Sequence, residues 1–379
     1  MAVEEVVVVG ASESPELGVV PDQSAMMLAA AAAQEALAQA GVGMDEVDGL
    51  AATMPVVDVA HYLGLRPRWL DGTAVGGCSY MLHVGHAVAS IRAGCASIVL
   101  VVHGESGRSR IGTPIRVPTP WSATGQFEQP YGLSGTFTTF TLTAMAYLDK
   151  FGLDPDCLAE VTVAQSAWAS RNPRAFRNQP LDLDAVLGSR LIAWPFRVLE
   201  CCPRTDGGGA LVLMSRRRAE DRDLQYRAVS ILGAGESSEG PGVSSLEDLT
   251  TFGGFRRSST EALRQANLIT SDIDHLMVYD AYAHLPLYGL EDIGFVAPGE
   301  AISFIQDGAT RPGGRLPLNT NGGGLLYTHT GMYGMFAIQE AVRQLQGRAA
   351  VQVDSVRTSL VQGIGGMFSA AGALVLGVG

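Results

Sequence analysis

The chain of 379 residues has room for roughly two or three ordinary domains or one large duplicated unit. Apolar residues make up 47% and charged residues 17%, which excludes a disordered chain and calls for a large buried core. A formal charge of −12 and a pI near 5.0 exclude a nucleic-acid-binding role, because phosphate recognition needs a basic face.

The start, Met1-Ala2-Val3-Glu4-Glu5, lacks the basic residues and long apolar stretch of a signal peptide. No stretch reaches the roughly 18 uninterrupted apolar residues of a membrane span. Cys78, Cys95, Cys157, Cys201 and Cys202 are odd in number and scattered, without a CxxC pair or a spaced Cys/His set. That spacing indicates neither a disulfide framework nor a bound metal, and the expected setting is the reducing cytoplasm.

Val6 to Val9 is a β-branched run ending at Gly10 and reads as a buried parallel strand. Ser24 to Ala40 is alanine-rich and stops at Gly41, which predicts a helix closed by a glycine. A strand is expected at Val47 to Ala52. The segment from Gln34-Glu35-Ala36-Leu37-Ala38-Gln39-Ala40 through Leu50 aligns without a gap on Thr260-Glu261-Ala262-Leu263-Arg264-Gln265-Ala266 through Leu276. The match runs through a helix and into the next strand, so it implies an internal duplication. Each copy then has a second helix and strand: Val84 to Ala93 with Ser97 to Val102, and Phe336 to Leu345 with Ala349 to Val353. Each closes on an apolar strand, Ala210 to Met214 and Ala373 to Val378. Alternating helices and strands predict a duplicated α/β fold with mostly parallel sheets. The expected division is 1–220 and 221–379, with an insertion at about 106–197 in the first half.

The insertion changes character. Thr113 to Thr139 is rich in Pro, Gly, Thr and aromatics, and helices are expected at Leu142 to Phe151 and Pro155 to Ala169. The basic run Arg171, Arg174 and Arg177 reads as a solvated loop face, with contact to a phosphorylated ligand as the alternative. The adjacent pair Cys201-Cys202 reads as core rather than redox-active.

Near the C-terminus, Asn319-Thr320-Asn321-Gly322-Gly323-Gly324 leads through an apolar stretch to Thr328-His329-Thr330 and a helix. Glycines on this scale let backbone approach a ligand closely, and a histidine there suits acid/base work. This stretch resembles the C-terminal active-site loop of the thiolase superfamily, most closely its sterol-carrier-protein branch. The resemblance implies a five-layered α/β/α/β/α sandwich and an insertion that covers an acyl-coenzyme A site.

The resemblance also assigns chemical positions. Thiolases place a nucleophilic cysteine at the start of a buried helix, where the helix N-terminus lowers its pKa. Counting back from Gly94 by the family's spacing lands on Gly77, not on Cys78. One residue turns a side chain by about 100 degrees on a helix, so Cys78 reads as a neighbour of the site. The second thiolase cysteine aligns with Gly363 in Val361-Gln362-Gly363-Ile364-Gly365-Gly366-Met367. A third catalytic position, histidine in the sterol-carrier branch, falls on Tyr279. Leu290-Glu291-Asp292-Ile293-Gly294-Phe295 also matches that branch.

Without both sulfurs, the surviving set suits retro-aldol cleavage of a β-hydroxyacyl-CoA, as in the thiolase-fold aldolases of steroid side-chain degradation. The products would be a ketone or aldehyde and a shorter acyl-CoA. Tyr279 and His329 are the expected catalytic residues, in either order of roles. Gly77, Gly365 and Asn319 are expected to bind the substrate or its developing oxyanion. Coenzyme A enters only as the substrate's thioester. The resemblance implies a homodimer core and a small zinc-ribbon/OB-fold partner completing the acyl-CoA site. Two alternatives stand: a thiolase using Cys78 on a bulky or aromatic β-ketoacyl-CoA, and a non-catalytic acyl-CoA-binding subunit.

Overall fold

A computed structural model describes residues 4–112, 120–133 and 135–378. Residues 113–119 and 134, in the Pro- and Gly-rich part of the insertion, lie outside them.

Nine strands form the main sheet: β1 (Val6–Glu13), β2 (Gly49–Ala52), β3 (Trp69–Asp71), β4 (Ile98–Ser106), β5 (Asp206–Ser215), β6 (Val229–Ser238), β7 (His275–Val278), β8 (Thr358–Gly365) and β9 (Ala370–Gly377). Their order is β3-β2-β4-β5-β1-β6-β9-β8-β7. Counted outward from the middle, one side runs β1, β5, β4, β2 and the other β6, β9, β8, β7. Each side places its first strand innermost, then its last, its next-to-last in the shared pattern, and its second. The repeat read from the sequence is therefore a repeat of topology, with β3 added at one edge. Among the described residues, strand pairing joins the sides at Val7 with Ser230 and at Val8 with Val229.

The principal helices are α1 (Ala25–Gln39), α2 (Ser79–Arg92), α3 (Gly135–Phe151), α4 (Leu158–Ala169), α5 (Gly253–Ala266), α6 (Gly323–Leu326) and α7 (Gly334–Gln346). Helix α1 covers the outer face of the first half-sheet and α5 that of the second, while α2 and α7 lie between them. This is the expected five-layered sandwich. It explains the uninterrupted apolar strands, because both faces of each are covered. Val6 and Val8 join Val99, Val101, Leu211 and Leu213 on the inner face. Val7 and Val9 join Ile98, Leu100, Val212 and Met214 beneath α1.

The outer helices sit against sheet backbone. A Cβ on Gly10 of β1 would fall 2.0 Å from the carbonyl oxygen of Ala36 in α1. In the second half, a Cβ on Gly233 would fall 2.0 Å from the carbonyl oxygen of Ala262 in α5. Only glycine permits either contact, and the repeat has kept the device on both sides.

Three sequence readings are corrected. The sheet is mixed rather than mostly parallel: β1 runs antiparallel to β5 and β6, β4 to β5, and β9 to β6 and β8, while β2 is parallel to β3 and β4, and β7 to β8. Cover on both faces makes the strands apolar without fixing their direction. Ala349 to Val353 is a connector, and pairing begins at Thr358. Gln344 captures the connector's backbone: its Nε2 donates to the Val351 carbonyl at 2.8 Å and its Oε1 accepts from the Val353 N–H at 2.9 Å. With those groups satisfied by a side chain, no neighbouring strand is needed. The basic run is also not uniformly solvated. Arg171 is exposed. Arg174 donates to the Ser14 carbonyl at 3.0 Å and pairs with Glu13 at 3.2 Å. Arg177 donates to the carbonyls of Cys201 and Leu325 at 2.9 and 3.1 Å. These two arginines tie the insertion to the rest of the fold.

Replacing Gly10 by alanine forces a carbon into a backbone oxygen that cannot swing aside. Gly10→Ala is expected to lose about 2 kcal/mol or more of unfolding free energy. The reading is a lower urea midpoint at unchanged slope; an unchanged midpoint would contradict the contact.

Candidate active site

Strand β7 ends at Val278, and the next residue, Tyr279, emerges where the two halves meet. Its position is set through the backbone. The Tyr279 N–H donates to the Gln362 carbonyl of β8 at 3.1 Å. Asn319 clamps the preceding residue: its Oδ1 accepts from the Val278 N–H and its Nδ2 donates to the Val278 carbonyl, each at 2.9 Å. Asn319 is fully buried with φ 53°, a left-handed conformation that asparagine tolerates better than most residues. Expected to bind substrate, Asn319 instead spends both ends of its amide on the strand that carries Tyr279.

The glycine run that follows makes room for a carboxyl group. Asp280 accepts from the N–H groups of Gly324 and Leu325, at 2.6 and 3.2 Å, at the start of α6. A Cβ on Gly323 would fall 2.1 Å from Asp280 Oδ2, so the approach requires glycine there. Burial pushes the Asp280 carboxyl up to about 8, against the pull of those two N–H donors. Asp280 thereby connects the residue after Tyr279 to the segment that delivers His329. Sequence reasoning missed it; the available signal was an acidic residue directly after an apolar strand, facing a glycine run that could expose amides.

His329 is held from the first half. Its N–H donates to Thr205 Oγ1 at 2.9 Å, and its carbonyl accepts from the Thr205 N–H at 3.2 Å. The imidazole Nε2 then lies 2.9 Å from the Tyr279 hydroxyl oxygen, with the two rings nearly perpendicular at 88°. The N–H of Tyr333, just before α7, donates to the same hydroxyl oxygen at 3.3 Å. Tyr279 is 5% exposed and His329 7%. Burial lowers the imidazole to about 4, so it is neutral at pH 7. Burial also raises the Tyr279 hydroxyl well above its usual 10. At rest the pair is a neutral phenol hydrogen-bonded to a neutral imidazole.

The start of α2 forms the opposite wall, and Gly77 stands directly against the Tyr279 ring. Cys78 is fully buried, with its sulfur packed against Gly365: a Cβ there would lie 2.6 Å from Sγ. The Nε2 of His329 is bonded to Tyr279, not to that thiol. Burial pushes the Cys78 thiol up to about 12, the reverse of what a sulfur nucleophile needs. Gly363 and Gly365 belong to strand β8, opposite Gly372 and Ala370 of β9, rather than to a loop. A Cβ on Gly363 would lie 2.9 Å from Met81 Sδ. The space beside both aligned sulfur positions is thus filled, by Tyr279 at one and Met81 at the other.

A thiolase C-terminal domain-like family model matches residues 235–378. The 17-hydroxy-3-oxo-4-pregnene-20-carboxyl-CoA lyase of Mycobacterium tuberculosis is 33% identical over 364 residues, covering 89% of this chain and 91% of the relative. The steroid side-chain-cleaving aldolase of Thermomonospora curvata is 32% identical over 357 residues, covering 89% of this chain and 90% of the relative. The solved Ltp2-ChsH2(DUF35) aldolase matches with a TM-score of 0.90 at 29% identity, over 99% of this chain and 98% of that one.

Removing the Asn319 amide leaves the Val278 N–H and carbonyl unsatisfied in a dry site and puts an ill-suited residue at positive φ. Asn319→Ala is expected to cost about 2 to 4 kcal/mol of stability. Chemical denaturation measures it, and a loss below about 0.5 kcal/mol would mean the clamp is dispensable.

Proposed function

Because the chain belongs to the thiolase superfamily, in the group of its steroid side-chain-cleaving aldolases, we propose that it cleaves a β-hydroxyacyl-CoA by retro-aldol reaction through Tyr279 and His329. It is a carbon–carbon lyase; the roles of individual residues are our assignment. One observation carries that assignment: the Tyr279 hydroxyl sits 2.9 Å from a neutral, buried His329 Nε2. Phenol and imidazole joined in this way form a proton relay.

In the proposed reaction the substrate's β-hydroxyl proton passes to the Tyr279 oxygen while the Tyr279 proton passes to His329 Nε2. The Cα–Cβ bond breaks, Cβ becomes the carbonyl carbon of a ketone or aldehyde, and the electron pair goes to the thioester enolate. The proton on His329 returns through Tyr279 to Cα and yields the shorter acyl-CoA. Burial makes an isolated phenolate or imidazolium costly, so imidazolium formation is coupled to the enolate charge that compensates it. We assign the enolate oxygen to backbone N–H groups at Gly77, beside the N-terminus of α2, and at Gly365. No covalent intermediate is needed, and the setting of Cys78 gives no support to the thiolase alternative.

The names of the relatives suggest a bulky steroid side-chain thioester as substrate. The solved Ltp2-ChsH2(DUF35) aldolase bears the names of two components, which suggests a second subunit of the DUF35 kind. We propose that such a subunit completes the acyl-CoA site beside a homodimeric core. Five unpaired cysteines support a cytoplasmic setting.

The test is to incubate the protein, with and without such a subunit, with a β-hydroxyacyl-CoA and no free coenzyme A. Equal amounts of carbonyl product and shorter acyl-CoA are expected. Tyr279→Phe and His329→Ala should each lower kcat by about 100- to 10,000-fold. Cys78→Ala should stay within about three-fold, under 1 kcal/mol. A requirement for free coenzyme A, or loss of turnover in Cys78→Ala, would replace the lyase by an acyl transferase. The acid limb of kcat/KM should lie near pH 4, because His329 accepts a proton only when neutral and burial moves its titration down from 6.5 to about 4.

A further inference from the structure

Gly77 is a glycine for a reason its backbone does not supply. Gly76 beside it has φ 95°, but Gly77 lies outside the left-handed region. Space is what demands glycine. A Cβ on Gly77 would fall 2.2 Å from Tyr279 Cε2, 2.5 Å from Cζ and 2.7 Å from the hydroxyl oxygen. The ring occupies the place where a side chain at 77 would begin.

Neither party can withdraw. Behind Gly77, its carbonyl oxygen lies 2.1 Å from where a Cβ of Gly334 would be, and a Cβ on Gly76 would meet the Gly366 nitrogen at 2.3 Å. Behind Tyr279, the backbone is bonded to Gln362, and Asn319 clamps Val278. The ring meets His329 and Tyr333 edge to face, with centroids 5.5 and 5.9 Å away. A side chain at 77 must therefore turn the tyrosine out of its slot, and turning it out breaks the hydroxyl's bond to His329.

We propose that Gly77 is the specificity-determining residue of this site: a side chain at position 77 and a tyrosine bonded to His329 exclude each other, so the pair 77/279 sets the reaction class. The inference rests on the reading of Tyr279 as the proton-transfer group. By sequence register, position 77 is where a thiolase carries its nucleophile. One pocket can hold a sulfur nucleophile at 77 or a phenol–imidazole relay at 279, but not both.

The experiment is a double-variant cycle on the full chain, assayed with any partner subunit that turnover requires: parent, Gly77→Ala, Tyr279→Ala and the double variant. Gly77→Ala is expected to lose about 100-fold in kcat while KM stays within about three-fold. It should also lower Tm by about 3 °C, a loss absent when Gly77→Ala is added to Tyr279→Ala. If Gly77→Ala alone does not fold, recovery of folding in the double variant supports exclusion equally. Gly77→Ala turning over within about three-fold of the parent, or costing the same Tm in both backgrounds, overturns the proposal. Tyr279→Phe separates the two claims. If it is as active as the parent, the proton relay fails while the Tm cycle still reads steric exclusion. If it is inactive and Gly77→Ala is active, the exclusion alone fails.

Discussion

The constraint on which this structure turns is a hydrogen bond between two groups that are both prevented from charging. Burial takes His329 from 6.5 to about 4, which corresponds to roughly 3 kcal/mol against the imidazolium. Tyr279 is pushed in the direction that disfavours its phenolate. Such a pair is inert alone, because moving its proton creates two uncompensated charges in a medium of low polarity. In the proposed reaction, a thioester whose enolate forms beside the imidazolium removes that obstacle. The same dryness that keeps the pair neutral at rest strengthens its attraction to the developing charge. Exclusion of water is thus part of the proposed chemistry.

Keeping the pair in register requires both halves of the duplicated fold. Tyr279, Asn319 and His329 come from the second half, while Gly77 and the Thr205 that holds the backbone of His329 come from the first. Among the described residues the half-sheets share two strand pairs, so their alignment depends on the layer between them. There α7 sends Arg343 to Glu13 of β1 at 2.8 Å, and Tyr327 donates its hydroxyl to the same carboxylate at 2.5 Å. Burial works against the Glu13 carboxylate, yet Arg343, Arg174 and the Tyr327 hydroxyl outweigh it and hold the group below its usual range. A buried, fully paired charge of this kind adds little net stability, but it penalises any sliding that would separate the partners. Tyr327 lies two residues before His329, so this network fixes the approach of the segment that carries His329 as well.

Features set by local or periodic physics were readable in the sequence. Val6 to Val9 could be placed in a sheet covered on both faces because no polar residue interrupts the run, but the run does not report direction, and β1 is antiparallel to both neighbours. The helix from Ser24 announced both ends, through the Ser24 side chain that caps Met27 and through Gly41 at φ 59°. Tyr279 and His329 could be singled out because their surroundings carry motifs, and the fold brings them within 2.9 Å of each other. The other misreadings share one cause, a partner far away in the chain. Ala349 to Val353 has the composition of a strand, yet Gln344 had already taken its backbone groups. Arg177 looked solvated within its own segment, but its acceptor at Leu325 lies 148 residues away. Asn319 was recognised as part of an active-site loop, and nothing local says that its amide faces Val278 rather than the substrate. Asp280 escaped because a single carboxylate says nothing about which amides the fold will bring to it.

The geometry also explains why the cysteine one residue beyond Gly77 does not preserve sulfur chemistry. Both residues lie in the turn before α2, and there the Cys78 sulfur packs against Gly365, where burial suppresses its thiolate. Moving the sulfur back to 77 places its first carbon inside the tyrosine ring. Removing the tyrosine alone leaves an imidazole facing a hole, with neither a nucleophile nor a relay. Each single change from one chemistry toward the other passes through a site that performs neither, because two residues from opposite halves claim one volume. On that account the loss of sulfur and the gain of Tyr279 are one structural event. It also predicts that within this fold the identity of residue 77 should follow that of residue 279 more closely than it follows its own neighbours on α2.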